Sequence, residues 1–232
     1  MIDITTTAVI RPKIFNETLS SFRKLIFSDK YSYRLILNVD PIGEKVQQNE
    51  MYKIAKKFFN NVVVNYPTEP GFTKAVIWCW KQVESDYVFH LEDDWRLICP
   101  ISLKSMVKIL DHNSTLVSLR LNKLNIKPQI VKGVDFIYCP KLSLNPTLLK
   151  GKFIKGVVPL MVENLNPEKQ LRTYFNNERS DYISKFRYGI YVKDSCKRTV
   201  IDIGRIWMRN SEYQKRTGFL EWKLKGELKN KK

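Results

Sequence analysis

The first hundred residues alternate between two hydrophobic patterns. Short continuous apolar runs are typical of buried strands, and apolar residues three or four positions apart are typical of amphipathic helices. The pattern predicts four strands, at Ile4–Ile10, Tyr33–Val39, Val62–Val64 and Asp86–Leu91. It predicts three helices between them, over Ile14–Phe27, Glu44–Phe59 and Gly71–Val83. Strands that alternate with helices indicate βαβ units and a mainly parallel central sheet flanked by helices.

The second half of the chain has a less regular pattern. Four further strands are predicted, at Thr115–Leu121, Gln129–Tyr138, Tyr188–Val192 and Thr199–Ile203. Asn145–Gly151 is interpreted as a short helix or turn because it begins with an Asn-Pro pair. Asn166 and Pro167 predict the start of a helix that runs to about Asn176, because Asn is a favoured N-cap and Pro fits the first helical position. No linker divides the chain, so we expect a single α/β domain.

Length and composition fit a packed domain. The 232 residues are 44% hydrophobic and 12% aromatic, and no run approaches the roughly 18 apolar residues of a membrane span. The start, MIDITTTAVIRP, does not resemble a signal peptide. The four cysteines (Cys79, Cys99, Cys139 and Cys196) form no CxxC pair, and we expect them to be reduced and mostly buried. A cytoplasmic protein is therefore expected.

The net charge of +17, from 40 Lys and Arg against 23 Asp and Glu, changes this picture. Such an excess favours a polyanionic partner, for example nucleic acid or an anionic membrane surface. The alternative is that lysine accumulates on the surface of proteins encoded by an AT-rich genome. The last residues, 221–232, form a basic tail.

Polar residues follow three of the predicted strands. Arg11 follows the first strand, Asp40 the second, and Glu92, Asp93 and Asp94 the fourth. Ligands of open α/β sheets bind at the carboxyl ends of the strands, so these side chains are expected to converge. Carboxylates held rigidly at a strand end suit a divalent cation that neutralises a diphosphate leaving group. The alternative is a charged surface turn, although three tandem carboxylates repel each other unless a cation or an arginine neutralises them.

The segment Gly71–Leu97, GFTKAVIWCWKQVESDYVFHLEDDWRL, resembles the metal-site region of GT-A (Rossmann-like) glycosyltransferases. In that family a Gly-led helix precedes a strand that ends in a DxD-type motif. The resemblance implies a nucleotide-sugar donor, with a UDP-sugar expected, and Mn²⁺ or Mg²⁺ as cofactor. It makes Asp94 the metal ligand and places Asp93 near the sugar or ribose. Glu92 stands where the family motif has Asp, so its place in the donor site is less well defined.

The resemblance extends more loosely over residues 4–40. It implies that Asp40 contacts the base or ribose, although an Asp before Pro is also a common turn former. Lys74 and Arg11 are candidate phosphate contacts, or else solvated surface charges. A late loop in many GT-A enzymes supplies a third metal ligand. Here Asp202 is that candidate, with Arg205 as a bidentate phosphate contact, and a strand-end turn is the alternative.

The acceptor side is expected in the second half of the chain. An inverting transfer needs a carboxylate base, for which Glu163 and Glu168 are the candidates; at the start of a helix Glu168 equally suits a dipole-stabilising role. Basic residues mixed with aromatic ones suit phosphate contact and base stacking. The predicted acceptor contacts are Lys123, Lys127, Lys150, Lys152, Lys155, Lys185 and Arg187.

These features predict a metal-dependent glycosyltransferase that acts on double-stranded DNA with hydroxymethylated pyrimidines. The chain resembles small bacteriophage enzymes of that kind in size, charge and the HLEDDW block. Residues 1–98 would form the nucleotide-sugar half, 99–220 the acceptor half, and 221–232 the tail. Three alternatives stay open: a transferase for a surface polysaccharide, lipid-linked sugar or protein, a nucleic-acid-binding module without catalysis, and a nucleotidyltransferase.

Overall fold

The structure is a computed structural model. It describes residues 1–27, 30–124, 133–172, 177–192, 198–215 and 222–224. The strands are β1 Ile2–Ile10, β2 Tyr33–Gly43, β3 Asn61–Asn65, β4 Tyr87–Glu92, β5 Trp95–Leu97, β6 Leu116–Arg120, β7 Phe136–Cys139, β8 Thr147–Lys150, β9 Arg187–Tyr191, β10 Val200–Asp202, β11 Tyr213–Lys215 and β12 Trp222–Leu224. The α-helices are α1 Pro12–Leu25, α2 Gln48–Phe58, α3 Phe72–Lys81, α4 Leu103–His112, α5 Gly151–Val157, α6 Pro167–Gln170, α7 Glu178–Ser184 and α8 Gly204–Asn210.

Within these residues, eight strands form one sheet in the order β3-β2-β1-β4-β8-β6-β9-β7. Strands β1 to β4 are parallel, and β6 and β9 run in the same direction, so only β7 and β8 run against the rest. The carboxyl ends of β1, β2 and β4 therefore lie side by side at one edge of the sheet. Strand β5, which directly follows β4 in the chain, forms a separate antiparallel pair with β10.

The sheet separates two hydrophobic clusters because its strands alternate their side chains between the two faces. Leu35 and Leu37 of β2 belong to one cluster, with residues of α1, α2 and α4. Ile36, between them, belongs to the other cluster, with residues of α3 and α5. This confirms the predicted α/β domain with a mainly parallel central sheet covered by helices on both faces.

The predicted elements of the first hundred residues occur, with shifted ends. Strand β2 differs most, because it continues through Asp40 and Pro41 to Gly43 where a turn was predicted. Pro41 does not break the strand because β2 shifts its register against β1 at this point, between Val9 and Ile10.

In the second half, the prediction for residues 145–151 is wrong, because Thr147–Lys150 forms strand β8 in the middle of the sheet. The helix that begins at Pro167 ends at Gln170, and helices α4, α5, α7 and α8 were not predicted. Of the strand predicted at residues 129–138, the described part forms β7 from Phe136 onwards.

The cysteine prediction is wrong for Cys99, which is disulfide-bonded. Cys79 and Cys139 are free, and Cys196 lies outside the described residues. None of the helices in the described part of the chain has the length and apolar character needed to cross a membrane.

A buried histidine makes the stability of the fold depend on pH. His90 of β4 is fully buried beside Trp80, and its Nδ1 lies 3.1 Å from the Thr5 hydroxyl of β1. Burial lowers the pKa of His90 to about 3. An unfolded histidine titrates near pH 6.5, so below that pH the unfolded chain binds a proton that the folded chain does not.

We therefore expect the free energy of unfolding to fall between pH 7 and pH 5, with His90 contributing about 2 kcal/mol of the loss. Urea unfolding of His90→Asn at both pH values checks this, because the variant should lose that much less than the wild type. The exposed His112 provides the matched control, His112→Asn. An equal pH dependence in the wild type and in His90→Asn would contradict the assignment.

Candidate functional site at the carboxyl ends of β1, β2 and β4

The parallel register brings the predicted site residues together. Thr7 of β1 pairs with Glu92 of β4, and Val9 pairs with Asp40 of β2. The Asp93 amide donates to the Thr7 carbonyl, which continues the ladder past the end of β4. The convergence predicted from the strand ends therefore occurs.

A buried ion pair lies at the centre of this edge. Arg11 Nε donates to Asp93 Oδ2 at 2.7 Å, and Nη2 donates to Oδ1 at 2.6 Å. The Val9 amide also donates to Asp93 Oδ2, and Thr18 of α1 donates to the Asp93 carbonyl. Arg11 is 7% exposed and Asp93 2% exposed. Both carboxylate oxygens of Asp93 are thus used within the protein.

Burial and pairing act in opposite directions on these two groups. Burial disfavours the charged guanidinium, but the attraction of Asp93 and Asp94 raises the pKa of Arg11 above its ordinary value. Burial also raises the pKa of the Asp93 carboxyl, and the ion pair with Arg11 opposes that rise. With two short, charge-assisted hydrogen bonds between them, the pair is best described as ionised.

Asp94 is the more accessible carboxylate. Its Oδ2 lies 2.9 Å from Arg11 Nη2, and its side chain is 17% exposed. The Ile203 amide donates to its carbonyl at 2.8 Å, which brings the start of α8 onto the cluster. Gly204 packs so closely there that a Cβ would lie 2.3 Å from Asp94 Oδ2 and 2.8 Å from Arg11 Nη1. A side chain at this position would therefore displace Asp94 or Arg11.

The late segment returns to the cluster as predicted, because Asp202 of β10 pairs with Trp95 of β5. Its carboxylate is occupied, however. Oδ1 accepts from the Gly204 amide at 3.1 Å and Oδ2 from Arg205 Nε at 2.9 Å. Arg205 is largely exposed and is paired with Asp202 in this structure.

This donor set fits a divalent cation only in a limited way. No group of three or more His, Cys, Asp or Glu residues in the described ranges is arranged to hold a metal. Asp94 is partly exposed and is a hard oxygen donor of the kind that Mg²⁺ and Mn²⁺ accept. A cation here would be held by Asp94, with diphosphate oxygens and water as its other ligands, and by Asp202 only if that carboxylate releases Arg205.

Asp40 anchors the start of α3. Its Oδ1 accepts from Asn38 at 2.8 Å, and its Oδ2 accepts from the Gly71 amide at 3.0 Å. Asn65 of β3 donates in turn to Asn38. Asp40 is 4% exposed and supports the fold through these bonds. The predicted base or ribose contact would therefore involve a residue that already has a structural role.

Three cavities follow one another along this edge. One of about 220 Å³ is lined by Asp40, Lys74 and Glu163, among others. A cleft of about 30 Å³ shares Asp40 with it and adds Glu92 and Asp93. A third, of about 650 Å³, shares Arg11 with that cleft and extends to Trp207 and Gln47. The acidic cluster therefore lies between two larger spaces.

The two candidate bases occupy different surroundings. Glu163 is exposed and lies in the same cavity as Asp40 and Lys74, on the side predicted for the donor. Glu168 accepts from Arg172 at 3.2 Å, one helical turn further on in the chain, and its amide is capped by Asn166.

The predicted acceptor residues differ in their exposure. Lys150 is wrong as a surface contact, because it is 8% exposed and its Nζ donates to the carbonyls of Asn113 and Ser114. Lys155 donates to the Glu84 carbonyl but is exposed. Lys127 lies outside the described residues. The remaining four are exposed: Lys123, Lys152, Lys185 and Arg187.

Two of these exposed cations lie over aromatic rings. The Lys123 ammonium is 5.8 Å from the ring centre of Trp95, the residue after Asp94. The Arg187 guanidinium is 5.3 Å from the ring centre of Tyr138. The sequence reasoning missed Trp207, whose ring lies 5.2 Å from the Arg11 guanidinium. Its position three residues after Gly204, on an unpredicted helix, gave no signal.

Similar solved structures are glycosyltransferases. TarS of S. aureus, residues 1–349, has a TM-score of 0.56 and 16% identity over 82% of this chain and 57% of that one. A mannosyltransferase from Pyrobaculum calidifontis, in complex with GDP-Man and Mn²⁺, has a TM-score of 0.58 and 11% identity over 81% and 53%. GalNAc-T7, with UDP, GalNAc and Mn²⁺, has a TM-score of 0.57 and 10% identity over 82% and 42%.

These likenesses show that the chain has a GT-A fold, as the resemblance implied. The chain spans between about a third and just over half of the length of the TarS chains that it matches. No protein-family model and no curated protein sequence matches it.

The close packing at Gly204 generates a prediction. Gly204→Ala should lower the free energy of unfolding by about 1–3 kcal/mol, because the added methyl overlaps the Asp94 carboxylate. Urea unfolding measures the loss. Gly71→Ala is the comparison for stability, since its Cβ meets only the flexible Lys74 side chain at 3.3 Å. Equal stability of the Gly204 variant and the wild type would show that α8 does not press on Asp94.

Proposed function

We propose that this protein is a glycosyltransferase that moves a sugar from a nucleotide-sugar donor to a hydroxyl group. The observation that carries the proposal is the acidic cluster at the carboxyl end of β4. The ends of β1, β2 and β10 bring Arg11, Asp40 and Asp202 to this cluster. The GT-A fold supports it, because similar structures with this fold were solved with UDP-GlcNAc or with GDP-Man and Mn²⁺.

The row of cavities accommodates such a donor. We place the nucleoside in the 220 Å³ cavity, which is lined by Asn38, Asp40, Asn65 and Lys74, among others. The diphosphate then lies towards Asp94, beyond the cleft that shares Asp40. Arg205, exposed and one helical turn from Asp202, reaches towards the same point and suits a bidentate phosphate contact once it leaves Asp202.

Asp94 is the residue that we assign to the divalent cation. A cation bound there, Mn²⁺ or Mg²⁺, supplies charge stabilisation for the leaving nucleoside diphosphate. Asp94 is held in place for that task by Arg11, by the Ile203 amide and by the close contact with Gly204. Asp202 is the second carboxylate available at this edge. Glu163, in the donor-side cavity, and Glu168 remain the candidates for the acceptor base.

Replacement of Asp94 tests the proposal. In the presence of Mn²⁺ and a panel of nucleotide sugars, Asp94→Asn should release the nucleoside diphosphate at least about a hundredfold more slowly than the wild type, because the charge stabilisation it supports is worth several kcal/mol. Asp86→Asn is the matched control, since Asp86 is an exposed acid that immediately precedes the amino end of β4.

The identity of the released product separates neighbouring functions. Glycosyl transfer releases a nucleoside diphosphate, whereas nucleotidyl transfer releases pyrophosphate. Equal turnover by the Asp94 and Asp86 variants, or the absence of turnover of any donor by the wild type, would refute the proposal.

For the acceptor, we propose double-stranded DNA that carries hydroxymethylated pyrimidines. The net charge of +17 supports an anionic acceptor. Lys123 supports it further, because its ammonium lies over the ring of Trp95, the residue that directly follows Asp94. Residues 99–220 would then form the acceptor half and 1–98 the donor half. The target base would have to be flipped out of the duplex to reach the cluster.

A mass gain of one sugar on hydroxymethylcytosine is the expected result when duplex DNA with that base is incubated with the protein, donors and Mn²⁺. Mass spectrometry of the nucleosides measures it, and a cytosine duplex is the control. Lys123→Ala should weaken DNA binding, with a shallower dependence on salt. Transfer to a polysaccharide or lipid-linked acceptor, with no transfer to either duplex, would refute DNA as the acceptor but would still support the glycosyltransferase activity.

A further inference from the structure

We propose that Arg11 is the positioning residue of this site: it fixes the carboxylate of Asp94 and withdraws Asp93 from ligand binding. The inference rests on the proposed function for its consequence in catalysis, but its geometric content is independent of it. It also departs from two expectations of the sequence, since the GT-A resemblance implied that Asp93 lies near the sugar or ribose, and Arg11 was a candidate phosphate contact.

The guanidinium of Arg11 has its contacts inside the cluster. Two donors bind Asp93 in the parallel, bidentate arrangement, and Nη2 also reaches Asp94 Oδ2 at 2.9 Å. The Trp207 ring lies over the guanidinium, and Gly204 leaves no space beside Nη1. Arg11 is therefore held on several sides and is 7% exposed, which leaves it little surface to offer to a phosphate.

The same contacts decide the charge that the cluster presents. Two adjacent carboxylates repel each other, and Arg11 compensates for one of them. Asp93 is buried with both oxygens engaged, so the remaining negative charge is carried by Asp94. A cation that enters the site meets Asp94 as its protein ligand at this strand end, in an orientation set by Arg11.

Lysine cannot replace Arg11 in this arrangement. A lysine ammonium is a point charge on a flexible stem, whereas the planar guanidinium binds Asp93 and Asp94 together with fixed directions. Charge alone therefore does not reproduce the effect, and the inference concerns geometry as well as electrostatics.

A double substitution separates positioning from simple stability. Arg11→Met with Asp93→Asn removes one positive and one negative charge, so the net charge of the cluster is unchanged and no buried carboxylate is left unpaired. The matched control is Arg34→Met with Asp3→Asn. That pair is also a buried, bidentate one between β1 and β2, but it lies at their amino ends.

We expect the site double variant to bind Mn²⁺ in the presence of UDP at least tenfold more weakly than the wild type, as measured by the electron paramagnetic resonance signal of free Mn²⁺. Its kcat should fall at least tenfold while KM for the donor changes less. The single variant Arg11→Lys should also have a lower kcat than the wild type, because lysine keeps the charge but not the planar geometry. The control double variant should lose thermal stability but keep Mn²⁺ affinity, kcat and KM within about twofold, since it leaves Asp94 untouched.

Crystal structures of the two double variants give a readout that does not depend on activity. The Asp94 carboxylate should move away from Gly204 in the site variant and stay in place in the control. An unmoved Asp94 with wild-type Mn²⁺ affinity would overturn the inference, even in an active enzyme. Failure of the wild type to use any nucleotide sugar would instead refute the proposed function, while displacement of Asp94 in the site variant would still support the positioning role.

Discussion

The buried ion pair between Arg11 and Asp93 is the interaction on which the rest of the site depends. It joins the end of β1 to the end of β4, and its burial is tolerated only because both charges are paired and hydrogen-bonded. The loss of one partner would leave an uncompensated charge in the interior. The pair therefore also fixes where Asp94 and the start of α8 lie.

A second bidentate pair, Arg34 with Asp3, joins β1 to β2 at the amino ends of these strands. The Asp3 carboxylate also accepts from the amides of Glu84 and Ser85, so it closes the loop between α3 and β4. Although burial opposes it, the bond to Arg34 and those backbone bonds lower the pKa of Asp3. Strands β1, β2 and β4 are thus tied at both ends, and the three cavities described above follow their carboxyl ends.

The fold of the first hundred residues was predictable because its information is local. Continuous apolar strands and amphipathic helices of ordinary length specify βαβ units, and parallel strands necessarily place their carboxyl ends together. Strand β8 was not predictable in this way. Its short sequence, TLLK, follows a turn signal, and it becomes a strand because β4 and β6 both pair with it. Lys150 was misjudged for the same reason, since its ammonium binds carbonyls of the segment before β6.

The sequence by itself determined the fold class and the strand end that bears the acids, whereas the return of Asp202 to that end was implied only by the resemblance. Only the tertiary structure decided what each acid does. Three consecutive carboxylates look equivalent in a sequence, yet the turn between β4 and β5 directs Asp93 inward to Arg11 and leaves Asp94 partly exposed. The partner that makes this difference is 82 residues away from Asp93, and contacts of that separation depend on strand register, which local sequence patterns do not contain.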